Sequence, residues 1–213
     1  MFIGERMSKP VISISKDMPI HDALLLFKKN SIRRAPVLQD GKLVGIVSDK
    51  DLFNASPSQA TSLSVWELNY LLSKITVREV MTREVFTVQV NTPIEEAARL
   101  MADNKIGGLP VLDGDKVVGM ITETDLFKTF LELLGARTFG VRVSAVVKDQ
   151  PGQLANVTKA ITDAGGNFIS FGQFTGSDAS TVQITFKVAG LEMDAVKKAL
   201  EKADVKLTDI REC

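Results

Sequence analysis

Hydrophobic and polar positions along this chain follow two periods, and the succession of periods itself repeats. Val11 to Ile14 reads as extended. After Pro19, a residue suited to the start of a helix, apolar side chains recur at helical spacing as Ile20, Ala23, Leu24 and Phe27, which predicts a helix with one buried face. Two short apolar runs follow, Ala35 to Leu38 and Leu43 to Val47, joined through Asp40-Gly41, a dipeptide favoured in tight hairpin turns. A further helix is predicted after Ser48. The same order then returns: Val85 to Val88 extended, Pro93, a face of Ile94, Ala97, Ala98 and Met101, a hairpin of Leu109 to Leu112 with Val117 to Ile121 turned at Asp113-Gly114, and a helix after Thr122. Met7 to Phe53 aligns with Met81 to Phe127 at a constant offset of 74 without a gap, and 17 of the 47 positions are identical. Each copy is predicted as β-α-β-β-α. A unit this small leaves one sheet face open, so the two copies are expected to pack together around a shared cleft.

Between the copies, Ser56-Pro57-Ser58 breaks the pattern and Leu63 to Lys74 reads as a helix with Trp66 and Tyr70 four apart, a core or dimer-facing element. Beyond Phe127 a helix carrying Phe130, Leu131 and Leu134 stops at Gly135, a natural residue for a helix end. A second unit then begins. Val141, Val143, Ala145 and Val147 alternate as a strand; Asp149 to Gly152 turns; Leu154, Val157 and Ile161 share a helical face that ends at Gly165-Gly166. Phe168 to Phe174 is extended, Val182, Ile184, Phe186 and Val188 alternate, Met193, Val196 and Leu200 mark a helix, and Val205 to Ile210 closes the order β-α-β-β-α-β, the ferredoxin-like arrangement. The fold class is therefore α+β, with expected boundaries at residues 1–60, 61–76, 77–135 and 139–213.

Composition narrows the functions. Of 213 residues, 45% are hydrophobic and 24% charged, enough for two globular cores. Lysine plus arginine and aspartate plus glutamate number 26 each, so no overall field selects nucleic acid or an anionic membrane, and any anion site must be local. The single cysteine, Cys213, excludes an intrachain disulfide and a cysteine-built zinc site, and fits a cytoplasmic setting. Met1 to Pro10 lacks the apolar core of a secretory signal, and no apolar run approaches the roughly 18 residues of a membrane span. The one histidine, His21, sits beside Asp22 at a helix start and reads as a surface residue. Without a phosphate-binding glycine loop, a metal-ligand cluster or a nucleophile–base pair, no enzyme is expected.

The sharpest chemistry lies at the hairpin exits. Gly45-x-x-Ser48-x-x-Asp51 and Gly119-x-x-Thr122-x-x-Asp125 each deliver a hydroxyl and, three residues on, a carboxylate at the first turn of a helix. A carboxylate accepts both hydroxyls of a ribose, and a helix N-terminus offers free N–H groups to an anion. The same spacing is also a helix-capping box that needs no ligand. Repetition at matching places in a duplicated module favours the binding reading.

With these motifs, with Ile-x-x-x-Pro-Val in both copies and with the opening Met-x-x-x-Val, residues Met7 to Phe127 resemble a CBS-domain pair. The resemblance implies that adenosine phosphates (AMP, ADP or ATP, with S-adenosylmethionine as an alternative) lie between the repeats. It implies Asp51 and Asp125 on ribose, with Ser48, Lys50, Thr122 and Thr124 nearby. Met7, Ile12, Ile32, Met81, Phe86 and Ile106 would stand beside adenine, or else be core. Arg33 and Arg34 would hold phosphate through their forked donors, whereas Gly107 and Gly108 replace them in the second copy, so unequal sites are expected. Residues 141 to 210 resemble an ACT domain through Asp149-x-Pro-Gly152-x-Leu154 and Gly-Gly-Asn167. An amino-acid effector site at Asp149, Gly152, Leu154 and Asn167 is a candidate, but an ionised Asp149 accepts only and repels a carboxylate, which favours dimerisation as this domain's role. The whole arrangement is similar to bacterial acetoin-utilisation accessory proteins. The expectation is a non-catalytic homodimeric sensor acting on a regulated partner protein, or a structural adaptor with empty clefts.

Overall fold

The computed structural model describes residues 1–55, 74–176 and 178–213. The Ser56-Pro57-Ser58 break and the helix expected around Trp66 and Tyr70 lie outside the described residues. The chain divides into two compact units, Met1–Leu126 and Phe127–Cys213.

The first unit holds the two repeats. Repeat 1 runs β1 (Ile14–Ser15), α1 (Ile20–Asn30), β2 (Arg34–Gln39), β3 (Lys42–Ser48) and α2 (Asp49–Asn54). After a one-turn helix α3 (Val77–Val80), repeat 2 runs β4 (Val88–Gln89), α4 (Ile94–Asn104), β5 (Gly108–Asp113), β6 (Lys116–Thr122) and α5 (Glu123–Leu133), the last crossing the boundary between units. Each repeat forms a three-stranded sheet, β1-β2-β3 or β4-β5-β6, with the first pair parallel and the hairpin antiparallel. Ile20, Ala23 and Phe27 bury one face of α1, and Ala97 with Met101 one face of α4, as the spacing predicts. Pro19 and Pro93 stand just before these helices, and both helices end on a left-handed residue, Ser31 at φ 52 and Lys105 at φ 54. The first hairpin turns at Asp40-Gly41, both at positive φ. The second turns one residue later than expected: Asp113 belongs to β5 and pairs with Lys116, leaving Gly114-Asp115 as the turn, with the positive φ at Gly114.

The sequence gives no sign of how the repeats are knitted together. The segment ahead of each repeat packs into the other. Ile3, fully buried, belongs to the core of repeat 2 with Val88, Ala97 and Leu109, and its N–H donates to Thr92. Val77, also fully buried, completes the core of repeat 1 with Ile14, Ile20 and Leu52, and its N–H donates to Met18. Further along, Ser8 pairs with Met120 on β6, and Thr82 pairs with Ile46 on β3. This close approach explains why Gly45 and Gly119 are glycines in both copies: a Cβ there would stand 2.6 Å from Met81 Sδ and 2.5 Å from Met7 Sδ respectively.

The second unit contains β7 (Val141–Lys148), α6 (Gln153–Asp163), β8 (Asn167–Thr175), β9 (Thr181–Ala189), α7 (Met193–Glu201) and β10 (Lys206–Glu212) in one antiparallel sheet ordered β10-β7-β9-β8. Val143, Ala145, Ile184 and Phe186 alternate inward against Val157, Ile161, Val196 and Leu200 of the helices, and Phe171 stacks on Phe186 at 5.7 Å. Lys187 breaks the alternation rule. It points away from this core and yet is buried, because residues 135 to 138 cover it and its ammonium donates to main-chain oxygens of Gly135, Thr138 and Cys213.

Candidate ligand-binding site

The exit of each hairpin is a formed helix cap. Ser48 N–H and Oγ both donate to Asp51 Oδ2, at 2.8 and 2.6 Å, and the Asp51 N–H returns a bond to Ser48 Oγ at 3.3 Å. In repeat 2, Thr122 N–H and Oγ1 donate to Asp125 Oδ2 at 3.0 and 2.7 Å. At Asp51 capping therefore occupies one carboxylate oxygen and leaves the other to be placed. Asp51 Oδ1 takes no hydrogen bond among the described residues, and Asp51 is half-buried at the wall of a cavity of about 280 Å³. A second acceptor reading and the cap are thus compatible at the same residue.

The cavity belongs to both repeats. Repeat 1 supplies Arg34, Ser48 and Asp51, with Ile46 and Val47 of β3; repeat 2 supplies Glu84, Val85 and Phe86 from its opening segment, and Lys105, Ile106 and Gly107 from the turn before β5. The crossing of the lead-in segments produces this mixture, since Thr82 is held on β3 of repeat 1 beside Ser48. Phe86 is 47% exposed, an aromatic ring at a cleft wall rather than in a core.

The two arginines differ in their surroundings: Arg34 opens β2 and Arg33 precedes it. Arg34 extends over Gly107: its Cζ lies 2.8 Å from where a Cβ on that glycine would stand. Its guanidinium has no hydrogen bond or ion pair among the described residues. Arg33 donates to Thr124 Oγ1 of repeat 2 at 3.0 Å. Of the pair expected to act as one clamp, Arg34 lines the cavity and Arg33 does not, although both reach the hairpin exit of repeat 2.

Of the residues singled out in the sequence, the cavity brings together Arg34, Ser48, Asp51, Phe86, Ile106 and Gly107. Thr122 and Asp125 do not line it; Asp125 is buried, at 8% exposure, in its own cap. Met7 packs against the core of repeat 2 and Met81 against that of repeat 1, while Ile32 packs in repeat 1. Ile12 is half-buried, and Lys50 and Thr124 are exposed. The cavity residues Glu84 and Lys105 were missed in the sequence. Their counterparts 74 positions away are Pro10 and Ser31, so the signal for them is a charge present in one copy and missing from the other.

In the second unit, the candidate effector residues do not converge within one chain. Lys148, just before Asp149, pairs with Thr181, whereas Asn167 pairs with Ala189 at the other end of β9. Asp149 and Leu154 are exposed, and Gly152 takes a φ of 87 ahead of α6. Ion pairs lie on the surface of this unit: Lys148 holds Asp204 at 2.9 Å and keeps its carboxyl below the ordinary aspartate range, chiefly through that hydrogen bond, and Arg211 does the same for Asp209.

Among the described residues no cluster of three or more metal-ligating side chains is present, and no helix is long and apolar enough to cross a membrane. The CBS domain family matches residues 3–58 and 77–132, and the ACT domain family residues 141–205. An uncharacterized protein of Methanocaldococcus jannaschii is 35% identical over 155 residues, spanning 62% of this chain and 92% of its own length. A solved CBS domain pair in complex with 5′-methylthioadenosine and S-adenosyl-L-methionine is similar at 28% identity and a TM-score of 0.52, covering 65% of this chain and 98% of that one. A Vibrio cholerae protein assigned to acetoin utilization is similar at 29% identity and a TM-score of 0.53, covering 64% of this chain and 95% of its own. By these matches the chain belongs to the CBS domain family, as a tandem CBS pair followed by an ACT domain.

Proposed function

We propose that this chain is a non-catalytic sensor of adenine nucleotides, in which a ligand in the cleft between the CBS repeats biases their packing and so acts on a second copy of the chain or on a regulated protein. The observation that carries this reading is one juxtaposition: the unpaired oxygen of Asp51, the uncommitted guanidinium of Arg34 and the exposed ring of Phe86 line a single cavity. In this reading Asp51 accepts from the ribose diol, Phe86 and Ile106 face the base, and Arg34 meets the phosphate. Ser48 holds Asp51 in place through the cap.

In this reading the buried Asp125, with Thr122, serves repeat 2 as a helix cap, and Arg33 and Thr124 tie the repeats together. The ACT domain serves chain pairing in a cytoplasmic homodimer, and the likeness to the acetoin-utilization protein suggests acetoin or central carbon metabolism as the setting. S-adenosylmethionine is the second reading, favoured by the solved CBS pair that holds it.

Melting curves and calorimetry with AMP, ADP, ATP and S-adenosylmethionine test the proposal. A ligand present at 100 times its Kd stabilises the folded state by about 2.7 kcal/mol, which raises the melting temperature by several degrees. Neither heat nor a melting shift with any of them would leave a structural adaptor as the function. Nucleotide turnover above background would restore an enzyme.

A further inference from the structure

The outer face of the sheet in the second unit, turned away from the core under α6 and α7, carries cations side by side. Register aligns Arg211 of β10 with Arg142 of β7, Arg142 with Lys187 of β9, and Lys187 with Ser170 of β8, so three cations stand in one row across neighbouring strands. Like charges directly opposite on adjacent strands repel. Among the described residues a single carboxylate, Asp209, bonds any of the three. Arg211 makes three hydrogen bonds to it and Arg142 only one, from Nη1 at 3.1 Å. Lys187, 5% exposed, gives its ammonium to main-chain oxygens and meets no acidic side chain among the described residues.

Beside the two inner cations lies a cavity of about 110 Å³. Its lining holds Arg142, Lys187 and Thr185, the apolar Leu134, Phe174 and Phe186, and no carboxylate. Arg142 keeps its Nη2 and Nε donors, which take no partner among the described residues. Thr185 and Ser144 share one hydroxyl–hydroxyl bond of 3.0 Å; with Ser144 as its donor, the Thr185 hydrogen is left for a ligand. We propose that this cavity binds a short-chain carboxylate, with its oxygens on Arg142 and Thr185, its charge offset by Lys187 and its hydrocarbon end against Leu134 and Phe174. The site is built entirely within the second unit and does not depend on the adenosine reading of the cleft between the repeats.

Charge and size both narrow the ligand. An anion placed between Arg142 and Lys187 relieves the repulsion of the row, and its attraction to them grows as the dielectric falls away from that of water. A guanidinium offers parallel donors that match the two oxygens of a carboxylate, which a spherical anion does not use. The cavity lies well below the roughly 300–1,000 Å³ of pockets for drug-sized ligands, so its occupant has only a few non-hydrogen atoms. An α-amino acid brings an ammonium group as well, which the two cations repel and no lining carboxylate offsets. The cavity therefore prefers the simple carboxylate to the zwitterion.

The experiment is a proton–nitrogen NMR titration of the full chain with acetate, propionate, acetamide and glycine at constant ionic strength. Acetate and propionate are expected to shift the amide signals around Arg142, Thr185 and Lys187 saturably in the millimolar range, with acetamide and glycine weaker by about tenfold or more, the ratio that loss of a charge-assisted bond gives. Arg142→Gln is expected to lose about ten- to a hundredfold for acetate, and Thr185→Val about three- to tenfold. Asp209 keeps Arg211 in the first of these variants, and melting curves check that both fold. An unchanged acetate affinity in folded Arg142→Gln, acetamide binding as tightly as acetate, or no saturable shift in the wild type would overturn the proposal, and each of these results leaves the nucleotide cleft untouched. Should Arg142→Gln not fold, the contrast of acetate with acetamide on the wild type decides by itself.

Discussion

In repeat 1 the capping carboxylate Asp51 is half-buried, gives one oxygen to Ser48 and turns the other toward a cavity; in repeat 2 Asp125 makes the same two bonds with Thr122 but is buried and lines no part of that cavity. The local code is the same in both copies, and in both it caps a helix. What distinguishes the Asp51 side is delivered from elsewhere in the chain: the ring of Phe86, the ammonium of Lys105 and the gap at Gly107 all come from the opposite repeat. A short motif thus marks a place where a site can be built, and its partners across the repeat interface decide what the site holds. Duplication supplied two such places, and the two have diverged at the positions that face each other.

The exchange of lead-in segments is the feature of this comparison most exposed to a test by mutation. Ile3→Ala removes a fully buried side chain, and a cavity of that kind destabilises by about 2–5 kcal/mol. Because Ile3 sits in the core of repeat 2, hydrogen exchange should show the loss of protection in β5 and β6 and spare β2 and β3. Loss centred on repeat 1 would break the exchange. Next in size, Asp51→Ala is expected to weaken the cleft ligand by about ten- to a hundredfold, or roughly 1.5–3 kcal/mol, as read by calorimetry. Asp125→Ala should leave that affinity nearly unchanged and lower the melting temperature instead, through a cap worth about 0.5–2 kcal/mol. Equal affinity losses in the two variants would erase the distinction between the sides.

The smallest effect is expected in the second unit. Lys148 depresses the pKa of Asp204 below its ordinary value of 3.8, so the pair adds stability above that value and loses it as pH falls through the folded-state pKa. Both side chains are exposed, so the contribution is screened and slight. Melting temperatures of the wild type and Asp204→Asn should differ a little at pH 6, and the gap should narrow as the pH falls below 3.8. A gap that widens on acidification would show that the pair does not act in this way.

The repeats, both hairpins and the antiparallel second unit were legible because their signals are local: apolar spacing, turn dipeptides and capping residues act within a few positions of one another. The seating of Ile3 in repeat 2 and of Val77 in repeat 1 was not legible, since a buried apolar residue in a short segment looks the same whichever core receives it. Lys187 escaped for a related reason. Alternation along β9 places it on the polar side, and only the covering residues 135 to 138 make that side an interior, where three main-chain oxygens bind its ammonium. At the cleft, Ser48, Asp51 and Arg34 were found by motif and by resemblance. Glu84 and Lys105 carry no motif, and their place follows from the path of the chain between repeats.

The most direct measurement is a crystal structure of the chain grown with AMP. The expected result is adenosine density between the repeats, with a ribose hydroxyl within hydrogen-bond distance of Asp51 Oδ1 and the phosphate on Arg34. A cleft without ligand at saturating AMP, or a nucleotide ordered on another surface with Asp51 Oδ1 still unpaired, would contradict it.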